Sequence, residues 1–578
     1  MTLSPTRRRE AYLIMGIAAL YLLLWLMLPK PAFWGLDNGI KYQGMRSFSE
    51  TGKIVLPNPA VGLGIDSQYR AIPPPFGIIS ANGQIPVFSP LFQILGGIFL
   101  RLFGRSGPFL LPLIGGWGVL LASWSLWVRQ RERHDGTIFL LLVGLGSPLM
   151  FYSLALWEHT LAAAAITYAI ALLCSDRGGV FRAESYSGSF EAGLLVGAAC
   201  GLRSESVVWA LIIIVFWKGT GRSISARMRF IFGVVASAIA IALINYWQTS
   251  VPYPLHILAN FLARSPDSMI DLAISRAQNI YLMLFQGFPS NALSIAGLIP
   301  LGIVALWPGW RDETGWWPYI AGGLILASAF YIYSIIAAPN QIAYTSESGG
   351  LFWVTPVAAL AFFPLRSERR RFWNFMWSSV LWTILLLAAF SPTLKGIHWG
   401  PRFLIVVTPI ILIAATVRIQ RWWSRHAQTR IIIAVLVATC LVNQIISFGL
   451  EFKATAYNRD LNHWAQMAGD DVVLTKNWWI PGDCSLVSYK QPWFVVRNGE
   501  SFAKVVKVLK EKGLRRFHYI ETAPYTSEDF FTQQGLKEAG VDYFRNRGGD
   551  LRRAVLEFIA GGGVPSTAPA PVESRVSG

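Results

Sequence analysis

The chain has 578 residues, 53% of them hydrophobic and only 14% charged; a soluble protein of that length would carry roughly a quarter charged residues and divide into several water-facing domains, so that class is excluded. The formal net charge of +18 invites a nucleic-acid reading, but the basic residues stand in short clusters between apolar runs, which is the pattern of the positive-inside bias and argues against a nucleic-acid partner. Apolar runs of about 15–22 residues recur from Tyr12 to Phe448, close to the length that crosses a hydrocarbon core of roughly 30 Å, so the chain reads as a polytopic α-helical membrane protein.

The basic triplet Arg7–Arg9 places the N-terminus in the cytoplasm, and Tyr12–Leu28 then runs outward. This run resembles a signal peptide, yet Pro29-Lys30-Pro31 offers no small-x-small cleavage site, so a retained anchor is expected. A first outer loop over 29–107 follows, rich in Gly and Pro; loops of that length inside a compact protein are usually functional or disordered. Within it, Val87–Phe103 is short, carries Pro90 near its start and ends on Arg101 and Arg105. Counted as a span, it would strand Arg129–Arg133 outside; counted as a helix lying in the outer interface, it lets Phe109–Val128 run inward and deliver that cluster to the cytoplasm.

With that choice residues 137–153 run out and 160–174 run in. The stretch "GLLVGAACGLRSESVVWALIIIVFW" forms a hairpin of two short helices with Arg203 and Glu205 at its outer tip. Spans follow at 230–247, 291–308, 316–337, 350–365, 373–391, 402–417 and 431–449, for about thirteen in all. Residues 1–450 are thus expected to form the transmembrane domain. Over 451–560, "DDVVLTKNWW" and "RRFHYIET" read as strands with the amphipathic "SFAKVVKVLKEKG" between them, predicting a small extracytoplasmic α/β domain. Residues 561–578 have linker composition and are expected to be disordered. The four cysteines, Cys174, Cys200, Cys440 and Cys484, form no CxxC pair and no metal-ligand spacing.

Four polar features fall near the outer ends of spans: Asp37 with Tyr42; Glu158-His159; Arg203 with Glu205; and Lys395, His398 and Arg402 in "KGIHWGPRF". Each also has an ordinary reading. Asp37 serves as a loop carboxylate, Glu158 as the cap of a helix starting at Thr160, Arg402 as a headgroup anchor, and His159 as a hydrogen-bonding partner of a neighbouring helix. Charge at bilayer depth costs a few kcal/mol even on permissive scales, so their coincidence at one face points to a shared polar chamber. Carboxylates there supply a general base or metal ligands, and Arg and Lys hold a phosphate.

At these residues the sequence resembles the GT-C superfamily of membrane glycosyltransferases, in particular the protein O-mannosyltransferases and the aminoarabinose transferases of lipid A (glycosyltransferase family 39-like). The match runs through "LDNGIKYQGMRSFSETGKIVLP", "PVFSPLFQILGGIFLRLFG", Glu158, the hairpin ending in Arg203, and "GPRF" with Arg402, and it covers about residues 10–450. Relatives often carry a lysine or histidine before two prolines where this chain has Phe88-Ser89-Pro90, which puts a phosphate contact from that position in doubt.

The resemblance implies an inverting transfer of a sugar from a polyprenyl-phosphate donor to a lipid, protein or polysaccharide acceptor, at the outer face of a bacterial plasma membrane and among its lipids. Asp37 and Glu158 are the implied catalytic acids. Arg402, Arg203 and Lys395 are the implied donor-phosphate ligands, and Tyr42, His159 and His398 line the substrate. Metal dependence stays open: a magnesium or manganese ion, where one is used, falls to Asp37 and Glu158. The competing classes are a transporter or lipid flippase, for which no internal repeat is evident, and a non-catalytic relative whose outer domain binds a partner.

Overall fold

A computed structural model describes residues 4–57, 62–65, 71–72, 76–80, 83–129, 135–174, 186–216, 224–255, 269–286, 349–362, 370–391, 398–423, 427–545 and 550–559. The expected spans at 291–308 and 316–337, the tail 561–578 and Lys395 lie outside the described residues. The chain divides into two compact units. The first comprises Met1–Met27, Phe109–Ile244 and Arg264–Glu451, and the second Leu28–Pro108, Asn245–Ala263 and Phe452–Gly578. Among the described residues four helices are long and apolar enough to cross a bilayer, at Pro5–Met27, Pro90–Arg129, Ile224–Thr249 and Thr429–Gln466. The protein is an integral membrane protein.

The first unit is helical throughout its described part. Its early helices, Pro5–Met27, Leu110–Arg129 and Thr137–Leu145, are tied together by one buried acid. Glu10 is fully enclosed. It accepts hydrogen bonds from Arg7 at 2.7 Å, from the Trp124 indole at 2.8 Å and from the Gly136 backbone at 2.8 Å, so its charge is paired and its lone pairs are used, the condition under which a buried carboxylate is tolerated. Farther along, the helices Tyr186–Leu202 and Ile224–Thr249 cross where Gly193 meets the Phe230 backbone and Gly233 meets that of Phe190 and Leu194. A side chain on either glycine would collide with the opposing helix, the small-residue contact typical of helices packed in lipid.

Two expected spans differ from simple helices. Residues 137–153 break into Thr137–Leu145 and Leu149–Leu154 at Gly146-Ser147-Pro148. Ser147 fills the gap, its hydroxyl donating to the Val143 carbonyl at 2.6 Å. Residues 350–365 wind as a four-residue α-turn, Leu351–Val354, followed by a 3-10 stretch, Pro356–Phe362; Pro356 has no N–H to continue an α-helical ladder. The hairpin is present, with helices at Tyr186–Leu202 and Val207–Phe216 joined through a 3-10 turn at Ser204–Ser206.

In the second unit the helix Leu36–Thr51, in the expected first outer loop, packs along the helix Pro90–Phe103. A short antiparallel hairpin, β1 (Gly77–Ser80) with β2 (Gly83–Pro86), precedes the latter. The C-terminal part forms a five-stranded sheet from β3 (Val473–Thr475), β4 (Trp493–Val495), β5 (Arg516–Thr522), β6 (Leu536–Phe544) and β7 (Leu551–Phe558), in the order β4-β3-β5-β7-β6. β4, β3 and β5 run parallel, while β7 pairs antiparallel with both β5 and β6. The amphipathic helix Gly499–Glu511 buries Phe502, Val505, Val506 and Leu509 against Phe517 and Tyr519 of the sheet. It starts at a capping box in which Asn498 and Ser501 satisfy each other's backbone. On the sheet, the enclosed Glu521 accepts from Arg552 at 3.1 Å, from Lys476 at 3.1 Å and from the Thr526 backbone and hydroxyl at 2.9 and 2.7 Å.

Candidate active site

The candidate residues fall in both units. In the first, the chain leaves the short helix Leu149–Leu154, becomes extended at Ala155, and enters the helix His159–Leu173. Glu158 occupies the cap position of that helix, but its side chain makes no capping hydrogen bond. The carboxylate, 4% exposed, instead takes Arg203 at 3.0 Å. The remaining guanidinium nitrogens of Arg203 lie on Glu205, Nε at 2.6 Å. The hairpin tip therefore presents an arginine held between two acids, with all of its nitrogens on carboxylates.

Arg402 enters through Phe403. The ring of Phe403 has the Arg402 guanidinium 4.9 Å from its centroid and that of Arg203 at 5.4 Å, so one aromatic ring carries both cations. This brings the hairpin and the "GPRF" turn together at Phe403. His159 is buried between the rings of Tyr152 at 5.0 Å and Trp157 at 5.7 Å. His398 is also buried, with Nδ1 2.8 Å from the Gly400 carbonyl. A carbonyl only accepts, so Nδ1 carries the proton, and the ring braces the turn that leads into Arg402.

In the second unit Asp37 sits in the first turn of the helix Leu36–Thr51, half-buried, where the positive end of the helix favours a carboxylate. Tyr42 does not project into open space. It is buried against Phe33 at 5.2 Å and donates to the Arg105 carbonyl at 3.3 Å. Burial pushes its phenol up to about 12, against the pull of Arg46 and Arg105, so it stays neutral.

Three residues to which the sequence reading gives no catalytic or binding role matter here. Lys41, one helical turn beyond Asp37, is almost fully buried, and its ammonium stands 4.9 Å from the Phe88 ring and 6.0 Å from that of Phe92. A cation thus stands beside the position where the resemblance pointed to a missing lysine or histidine. Glu205 shares Arg203 with Glu158. The third is Asp483, in the C-terminal part of the same unit as Asp37. Its carboxyl is pushed up from an ordinary 3.8 to about 7, by burial first and then by the like charge of Asp37. No spacing signal marks it, because Asp37 and Asp483 come together only through packing.

The fit to a divalent cation is poor. Glu158 spends its carboxylate on Arg203, and among the described residues no three His, Cys, Asp or Glu side chains converge as a ligand set.

No protein-family profile matches the chain, and neither does any curated protein sequence. Solved structures do. ArnT from Cupriavidus metallidurans in the apo state is 13% identical with a TM-score of 0.50, over 96% of this chain and 99% of that one. The same protein bound to undecaprenyl phosphate gives 13% identity and 0.48, with the same coverage. The archaeal oligosaccharyltransferase AglB from Archaeoglobus fulgidus, in complex with an inhibitory peptide and a dolichol-phosphate, gives 12% and 0.47, over 95% of this chain and 74% of that one. The chain therefore shares the fold of ArnT over 96% of its length.

Proposed function

We propose that this protein is a membrane glycosyltransferase that moves a sugar from a polyprenyl-phosphate donor to an acceptor hydroxyl. The observation that carries the reading is a fold shared with ArnT over 96% of the chain, joined to an acid in the first turn of the outer-loop helix. In the proposed step Asp37 takes the proton of the acceptor hydroxyl, and the oxygen attacks the anomeric carbon from the face opposite the phosphate. A new C–O bond forms as the bond to the phosphate oxygen breaks with inversion, and polyprenyl phosphate leaves with the electron pair. Arg402 balances the charge that develops on that phosphate. Arg203 contributes to the same field, and Glu158 acts with Glu205 to hold it in place.

The reaction is assigned to the outer face of a plasma membrane, with the N-terminus cytoplasmic and the C-terminal sheet outside. The test uses purified full-length protein, a panel of undecaprenyl-phosphate sugars, and release of undecaprenyl phosphate as the readout. Asp37→Asn is expected to lower turnover by about 10²-fold or more, the usual worth of a positioned base, while the protein stays inserted and folded. Wild-type turnover in that variant removes Asp37 from the base role.

A further inference from the structure

Asp483 lies where the C-terminal part of the second unit grips the outer-loop helix. Leu36 and Gly39, on either side of Asp37, both pack against Gly482, and Gly39 also faces Ser485. Gln43, one turn on, donates to the Ser485 carbonyl at 3.1 Å and the Ser488 hydroxyl at 2.8 Å. The backbone of Asp483 is fixed from the other side by the long helix Ala427–Gln466. Asn458 and Asn462 donate to its carbonyl at 2.9 and 2.8 Å, and Asn458 in turn accepts from the Phe33 backbone at 3.0 Å. Among the described residues every hydrogen bond of Asp483 is made by its main chain. Its side-chain Oδ1 is enclosed and has no hydrogen-bond partner among them, although leaving such an atom unsatisfied is costly.

We propose that Asp483 is a positioning residue for Asp37: the two carboxyls form a pair in which Asp483 keeps its proton up to about neutral pH beside Asp37, the group that accepts the acceptor's proton. This rests on the glycosyltransferase reading of Asp37 and gives the C-terminal part of the protein a role in it. The groups facing Asp483 are consistent with a retained proton. The outer-loop helix offers the Asp37 carboxylate, the long helix offers the Tyr457 phenol, and its own strand connection offers the Cys484 thiol. The Cys484 thiol is itself pushed well up by burial and by Asp483. Among the described residues no cation is among the groups acting on Asp483, so none of them favours a second ionised acid.

The linkage sign is definite. The folded carboxyl titrates at about 7, above its ordinary 3.8, so the native state keeps a proton that the unfolded chain gives up. The stability it contributes is complete below about pH 4 and is lost as pH rises to about 7. The experiment compares thermal midpoints of full-length, detergent-solubilised wild type, Asp483→Asn, Asp37→Asn and the double variant between pH 4.5 and 8.5, with Asp483→Ser as a second neutral replacement should the amide disturb packing. Wild type is expected to lose midpoint relative to Asp483→Asn up to about pH 7 and to run parallel to it above. In the Asp37→Asn background that loss ends about one pH unit lower, since one like charge is gone.

A wild-type-minus-Asp483→Asn difference that stays flat with pH overturns the retained proton. A difference that Asp37→Asn leaves unmoved overturns the pair. The second readout is the pH profile of undecaprenyl phosphate release, whose wild-type alkaline limb near pH 7 is expected to vanish in Asp483→Asn; an unchanged limb overturns the positioning role. Coupled midpoints without any sugar transfer leave the proton pair standing and sink the glycosyltransferase reading alone.

Discussion

Replacing either member of the Glu158–Arg203 pair should cost stability, but unequally. The pair is 3.0 Å apart, and its side chains are 4% and 15% exposed. Removing one partner of a buried ion pair typically costs about 3–5 kcal/mol, mostly through the charge left behind. In Glu158→Ala the guanidinium keeps Glu205, so the loss belongs at the lower end, about 3 kcal/mol. In Arg203→Ala two acids, 4% and 19% exposed, lose the cation between them, so the loss belongs at the upper end, about 5 kcal/mol. The double variant removes the pair together, and the coupling energy should be about 2 kcal/mol, inside the range for residues in direct contact. Unfolding by SDS titration from mixed micelles measures all three. Equal losses in the two single variants, or a coupling below about 0.5 kcal/mol, would refute the reasoning that Arg203 is held between two acids.

Two further outcomes are expected. Gly39→Val places a side chain 2.6 Å or less from Ser485 Oγ and against the Gly482 carbonyl. It should cost about 1–3 kcal/mol as overpacking and speed amide exchange at residues 480–488. The control is Gly35→Ala, whose added carbon meets nothing within 4 Å; equal exchange in the two variants contradicts the packing argument. Arg402→Ala should weaken apparent affinity for the undecaprenyl-phosphate donor by about tenfold or more, the worth of one charge-assisted contact. An unchanged affinity counts against its phosphate role.

Much of the helical framework was legible in the sequence because hydrophobic runs of bilayer length have few alternatives to helix once water is absent. The hairpin around Arg203 and the strand–helix–strand pattern after residue 470 were legible for the same local reasons, apolar periodicity and turn chemistry. Where a local rule was overridden, the cause can be named. The run over 137–153 breaks at Gly146-Ser147-Pro148. The stretch after Thr355 tightens to a 3-10 turn behind Pro356.

By itself, then, the sequence determined the membrane class and the identity of the candidate acids and bases, since these follow from residue type and from periods of a few residues. Only the tertiary structure decided which charges meet. Glu158 could cap its own helix or reach across 45 positions to Arg203, and packing chose the latter. Asp37 and Asp483 carry no common motif, yet the close fit of Gly482 against the outer-loop helix places them within electrostatic reach. Charge pairing and burial depend on neighbours from distant segments, and a chain read in one dimension does not contain those distances.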